Sequence, residues 1–136
     1  MSPSRPTDAG RNAVVPRQTV AEMLQAARDL LDRLPADAVH DELARGAHLV
    51  DIRPAAQRAD EGDVPGALVI ERNVLEWRCD PHSEAARSEA LDHDVRWIIL
   101  CSEGYTSSLA AASLQQLGLH RATDVIGGYR ALRPFL

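Results

Sequence analysis

Cysteine is the side chain here with the most chemistry to offer, and only Cys79 and Cys101 carry it. Cys101 stands in Ile98-Ile99-Leu100-Cys101-Ser102-Glu103-Gly104-Tyr105-Thr106-Ser107-Ser108. The short apolar run reads as a buried strand. Gly104 lets the backbone turn through positive φ. Thr106, Ser107 and Ser108 are helix-capping types ahead of an alanine-rich helical stretch. A cysteine between a strand end and a helix start lies beside unpaired N–H groups and the positive end of a helix dipole. Such groups favour the nucleophilic thiolate and also hold anions. The pattern therefore reads as a thiolate in an anion-binding cradle.

The elements that must position this cradle follow from periodicity. Val20, Met23, Leu24, Ala27, Leu30, Leu31 and Leu34 recur at helical spacing, so a helix is expected over 19–34. Thr19 and Glu22 form a capping-box pair at its start, and Pro35 ends it. A short helix follows from Asp37 to Ala44 and stops near Gly46. Strands are expected at His48–Ile52, Ala67–Ile70, Arg96–Leu100 and Asp124–Ile126. Residues 71–94 are polar, with a helical turn near Asn73–Trp77. The clearest helix runs from Thr106 to Leu117, with Gly118 as its stop. After Gly127-Gly128 a last helix passes through Ala131 and Leu132. Strand, helix and strand in the final third imply a right-handed βαβ unit. The fold class is α/β, with a mainly parallel sheet and helices on both faces. Ligands bind such sheets beyond the carboxyl ends of the strands, where Cys101 lies.

The bulk numbers fit one such domain. The chain has 136 residues, 45% apolar and 26% charged. Aromatics are only 4%, so aliphatic and alanine packing must build the core. A net charge of −5 argues against a nucleic-acid or anionic-membrane binder. No apolar stretch approaches the roughly 20 residues of a membrane span. Residues 1–18, rich in Pro, Ser and Gly at their start, read as a mobile tail without the apolar core of a secretory signal. Two cysteines make no disulfide framework, and a reduced, cytoplasmic protein is expected.

Several motifs together resemble the rhodanese (sulfurtransferase) domain. They are Leu49-Val50-Asp51-Ile52-Arg53, then Gly62-Asp63-Val64-Pro65-Gly66-Ala67, then Cys101 with its glycine-containing loop, then Gly127-Gly128. Their order fits a single domain over residues 36–136, with the 19–34 helix as an extension. The resemblance implies a rhodanese-like, five-stranded parallel sheet flanked by helices. It places the family's catalytic cysteine at Cys101 and its amide cradle on Ser102, Glu103, Gly104, Tyr105 and Thr106. The implied reaction moves a sulfane sulfur through a Cys101 persulfide, with no metal and no organic cofactor. The donor would be a small sulfur compound or a protein persulfide, and the acceptor a thiol or cyanide. Asp63 replaces the histidine usual before the Pro-Gly-Ala turn. The loop also carries no basic residue, and Glu103 adds a negative charge. Thiosulfate, a dianion, is therefore expected to be a poor donor, and a persulfide a better one.

Other readings compete for the same residues. A cysteine phosphatase needs an arginine at the loop's end to clamp phosphoryl oxygens, and none lies between Cys101 and the helix. A dithiol oxidoreductase needs Cys-x-x-Cys, whereas Cys79 lies far upstream in an apparent loop. Cys79 is then either an incidental thiol or a resolving partner for Cys101. Asp51 and Arg53 form a structural ion pair or reach the catalytic site. Arg72 and Arg78 either stand in for the missing loop arginine at the mouth of the site or are salt-bridged surface residues. Tyr105 lines the rim, Ser107 joins the cap and the substrate contacts, and Trp77 and Trp97 are expected in the core. The histidines show no metal-ligand spacing, so no metal is expected. A binding or redox-sensing module that keeps the fold is the non-enzymatic alternative, and the sequence leaves the oligomeric state open.

Overall fold

The computed structural model describes residues 15–136, so most of the expected tail lies outside the described residues. Four parallel strands form one sheet in the order β2-β1-β3-β4. They are β1 (His48–Asp51), β2 (Leu68–Val69), β3 (Trp97–Leu100) and β4 (Thr123–Asp124). The expected fifth strand is reduced to a single parallel bridge between Leu34 and Val125 beyond β4. There the Leu34 N–H donates to Asp124 O at 3.0 Å and the Ile126 N–H to Leu34 O at 2.8 Å.

That bridge explains why the first helix is shorter than its periodicity suggested. Helix α1 spans Val20–Asp29, with the Thr19/Glu22 capping box formed as expected. The chain leaves it before Leu34, because Leu34 must be extended to pair at the sheet edge. Tertiary pairing here overrides a helical pattern. The Asp37–Ala44 segment is a 3₁₀ turn at Ala36–Ala38 running into α2 (Val39–Ala44). Helix α3 (Ala55–Glu61) follows β1, and α4 (Leu75–Cys79) follows β2 after a 3₁₀ turn. Helix α5 (Thr106–Gln116) follows β3, and α6 (Gly128–Leu132) closes the fold.

Alternation along the strands divides the core in two. Val50, Trp97, Ile99 and Cys101 face one side with Leu75, Cys79, Ala110, Ala111 and Leu114 of α4 and α5. Leu49, Ile98 and Leu100 face the other with Val39, Tyr129 and Leu132 of α2 and α6. Small alanines let α5 lie close on the sheet, and α1 packs on its outer side. Trp97 is fully buried as expected, but Trp77 is 60% exposed and is not a core residue. No helix among the described residues is long and apolar enough to cross a membrane.

Candidate active site at Cys101

Cys101 continues the β3 alternation one residue past the strand, so its side chain drops to the α5 side beneath the loop. It is 5% exposed. Its Sγ accepts the Gly104 N–H at 3.2 Å and the Ser107 N–H at 3.4 Å. The second donor is in the first turn of α5, so the sulfur sits at the positive end of that helix. Among the described residues, the amides of Ser102, Glu103, Tyr105 and Thr106 have no protein acceptor. The loop thus gives two N–H groups to the sulfur and leaves four more without a protein acceptor.

The loop's carbonyls are held from outside. The Tyr129 N–H donates to Cys101 O at 2.7 Å and the Arg130 N–H to Ser102 O at 3.1 Å. Both donors lie in the first turns of α6. Gly104 O accepts Nη2 of Arg28 at 2.8 Å and Nη2 of Arg33 at 3.0 Å. Glycine is required where loop and terminal turn meet. Gly104 has φ +86°, and Gly128 has φ +61° with Cys101 O, Gly104 N and Glu103 N crowding the place of a Cβ. The Gly127-Gly128 pair is thus a tight turn beside the loop, as the resemblance implied.

Beneath the loop lies Asp124, fully buried at the end of β4. It accepts the hydroxyls of Ser107 and Ser108, each at 2.7 Å on Oδ2, and Nε of Arg33 at 2.8 Å on Oδ1. Ser107 and Ser108 are therefore not caps. They are buried inside α5, whose N-cap Tyr105 makes no side-chain capping bond, and their hydroxyls are turned inward to a carboxylate. Thr106 starts the helix and is exposed. The Ser102 hydroxyl is engaged by Glu61 at 2.8 Å. That bond, then Arg53, lowers the Glu61 carboxyl below its ordinary range against the opposing effect of desolvation. Glu103 points to solvent, 3.6 Å from Arg130. Tyr105 is 60% exposed at the rim, with the Arg28 guanidinium 5.5 Å from its ring centroid.

The buried Asp51–Arg53 pair is structural. Arg53 Nη2 meets Asp51 Oδ2 at 2.7 Å and Gly62 O at 2.8 Å, and its guanidinium lies 4.1 Å from the Tyr129 ring centroid. Burial opposes the charge, but hydrogen bonds and attraction from Asp51 and Glu61 outweigh it and raise the Arg53 pKa. Arg72 and Arg78 are not brought to the loop by any bond. Arg72 grips Glu76 at 2.9 Å, and Arg78 donates to Ala85 O at 2.6 Å. The guanidinium groups bonded to the loop backbone are instead those of Arg28 and Arg33, from the N-terminal extension. No local motif marked them; their signal is long-range, across 71 and 76 residues. Cys79 ends α4 rather than lying in a loop, and it is fully buried. Burial, then the Glu76 charge, pushes its thiol up to about 12 despite Arg87 and Arg78.

The chain belongs to the rhodanese-like domain family, whose match covers residues 35–133. A solved protein of unknown function from Rhodopseudomonas palustris, described as a possible tyrosine phosphatase, is 28% identical with a TM-score of 0.78. That match covers 90% of this chain and 95% of the other, more than the family's span alone. The human single-domain sulfurtransferase is 25% identical with a TM-score of 0.63, over 75% of this chain and 95% of its own. A rhodanese-related protein from Thermoplasma volcanium shares the fold at 21% identity and a TM-score of 0.57, over 76% and 91% of the two chains. No curated protein matches the chain.

Proposed function

We propose that this chain is a rhodanese-type sulfurtransferase that carries sulfane sulfur as a Cys101 persulfide. The observation that supports this most is the sulfur itself, bonded by the Gly104 and Ser107 amides inside a loop with four further open N–H groups. In the first half-reaction the Cys101 thiolate attacks the sulfane sulfur of a donor. A new S–S bond forms, and the donor's own bond to that sulfur breaks. The donor leaves with the bonding pair, as a thiolate from a persulfide or as sulfite from thiosulfate. In the second half, a thiolate or cyanide attacks the outer sulfur, and the Cys101 thiolate is the leaving group. The anionic persulfide between the two steps is what the open amides stabilise. Neither step requires a metal or an organic cofactor.

The name of the Rhodopseudomonas relative raises phosphoryl transfer as the competing reaction. Phosphatase chemistry wants a guanidinium facing the bound oxyanion. The Arg28 and Arg33 guanidinium groups are engaged by Gly104 O, Ser108 Oγ and Asp124, and that of Arg130 is paired with Glu103, which favours sulfur transfer.

The test is intact-protein mass spectrometry after incubation with thiosulfate or, separately, a small persulfide. A gain of one sulfur, lost with cyanide and absent in Cys101→Ser, is the expected result. The persulfide should load faster than thiosulfate. No gain from either donor, with hydrolysis of p-nitrophenyl phosphate, would replace this reading with the phosphatase. No activity of either kind would point to a binding or sensing module.

A further inference from the structure

The sequence placed no basic residue in the Cys101 loop, yet two guanidinium groups reach it from outside the family's span. We infer that Arg28 and Arg33 are positioning residues of the Cys101 cradle, and that Arg28 supplies the cradle's positive charge. The inference rests on Cys101 being the nucleophile and extends the site to the N-terminal segment.

The geometry of the trans peptide carries the argument. Its C=O and N–H point in opposite directions. A carbonyl held on the outside of the loop therefore turns the next N–H inward. Tyr129 holds Cys101 O, which turns the Ser102 amide. Arg130 holds Ser102 O, which turns the Glu103 amide. Arg28 and Arg33 hold Gly104 O, which turns the Tyr105 amide. The first two holds belong to the family's span. The third belongs to the extension, and it is made by charged donors, which also polarise the Gly104–Tyr105 peptide and strengthen its N–H as a donor.

The two arginines divide the work. Arg33 is neutralised by Asp124, to which it gives Nε and Nη2 at 2.8 and 3.2 Å. Arg28 pairs with no carboxylate among the described residues. Its Nε donates to Ser108 Oγ at 3.1 Å, and that hydroxyl in turn donates a hydrogen bond to Asp124 Oδ2 at 2.7 Å. Among the described residues Arg28 is therefore a cation on the loop with no carboxylate partner, held in place by a relay that ends on the buried carboxylate. It supplies the charge that a loop arginine would have given.

Alkylation of Cys101 tests this without a sulfur donor. Iodoacetamide and iodoacetate undergo the same displacement: the thiolate forms an S–C bond and iodide leaves. Only iodoacetate carries a negative charge into the cradle. The ratio of the two rates at Cys101, read by peptide mass spectrometry, reports the cradle's preference for anions. Arg28→Met keeps the aliphatic stem and removes charge and donors. The iodoacetate-to-iodoacetamide ratio should fall roughly fivefold, the scale of one partly exposed charge-assisted contact. Arg28→Lys should recover most of the ratio, and Arg45→Gln, on the exposed end of α2, should leave it unchanged. If Arg28→Met does not fold, Arg28→Gln provides the same comparison.

An unchanged ratio in a folded Arg28 variant overturns the inference. An equal fall in both rates, which is what loosening the loop alone would produce, overturns the charge role of Arg28 and leaves only its hold on Gly104 O. The outcome is separable from that of sulfur loading. A wild-type protein that takes no sulfur but shows the expected ratios would refute the proposed activity and leave the positioning role standing.

Discussion

Gly128→Ala should be far more damaging than an alanine at an unobstructed left-handed glycine, and the structure sets the size of the difference. Gly128 has φ +61°, where an L-residue costs about 1 kcal/mol. Its new Cβ would lie 2.5 Å from Cys101 O, 2.6 Å from Gly104 N and 2.8 Å from Glu103 N. Ordinary contact needs about 3.5 Å, so loop and turn must part by about 1 Å. All three neighbours are backbone and cannot rotate away. A shift of that size breaks the bonds from the Tyr129 and Arg130 amides to Cys101 O and Ser102 O, each contributing about 1 kcal/mol. The expected loss is about 3–4 kcal/mol, or roughly 10 °C in Tm. Gly46 is the control: its φ is +100° with nothing within 4 Å of the Cβ position, so Gly46→Ala should cost only about 1 kcal/mol. Urea denaturation measures both, and Cys101 alkylation of the folded fraction should slow in the Gly128 variant alone. Equal losses in the two variants would refute the argument that the terminal turn braces the loop.

Asp124→Ala should destabilise by about 3–5 kcal/mol, because it strands Arg33 and two buried hydroxyls beneath the loop; a loss under about 1 kcal/mol in urea would contradict that role. In the native protein iodoacetamide should label Cys101 and spare Cys79, whose burial holds it as a thiol; peptide mapping checks this, and both should label in urea. Cys79 also sets a pH dependence. Its folded thiol titrates at about 12, and its unfolded one near 8.5. Between those values the unfolded chain binds fewer protons, so stability is full below about pH 8.5 and declines as pH rises toward 12. The chain has no lysine to confuse this window. The decline in urea stability from pH 8 to pH 10 should be smaller in Cys79→Ala than in wild type, and an identical decline would refute the assignment.

Local signals determined a good deal of this protein. A four-residue apolar strand running into Cys-x-x-Gly and an alanine-rich helix places a thiol at a helix start, because each step depends only on neighbouring residues. The same is true of the Thr19/Glu22 capping box and the Gly118 stop. The sheet's parallel sense also followed, from the strand–helix–strand succession, whereas the strand order β2-β1-β3-β4 did not.

What tertiary structure alone decided lies where distant segments meet. Ser107 and Ser108 have capping chemistry, but a buried carboxylate 16 and 17 residues away turned them inward. Leu34 fits a helical repeat, but an open edge at Asp124 and Val125 drew it out of the helix. Of the two arginines that the sequence offers as stand-ins for a loop cation, Arg72 is bonded to Glu76 and Arg78 to Ala85 O. The guanidinium groups bonded to the loop backbone come instead from Arg28 and Arg33, on a segment that only the folded sheet brings alongside. Helix periodicity and turn chemistry are short-range properties of the backbone. Which guanidinium reaches which carbonyl depends on packing across the whole domain, and no spacing along the chain encodes it.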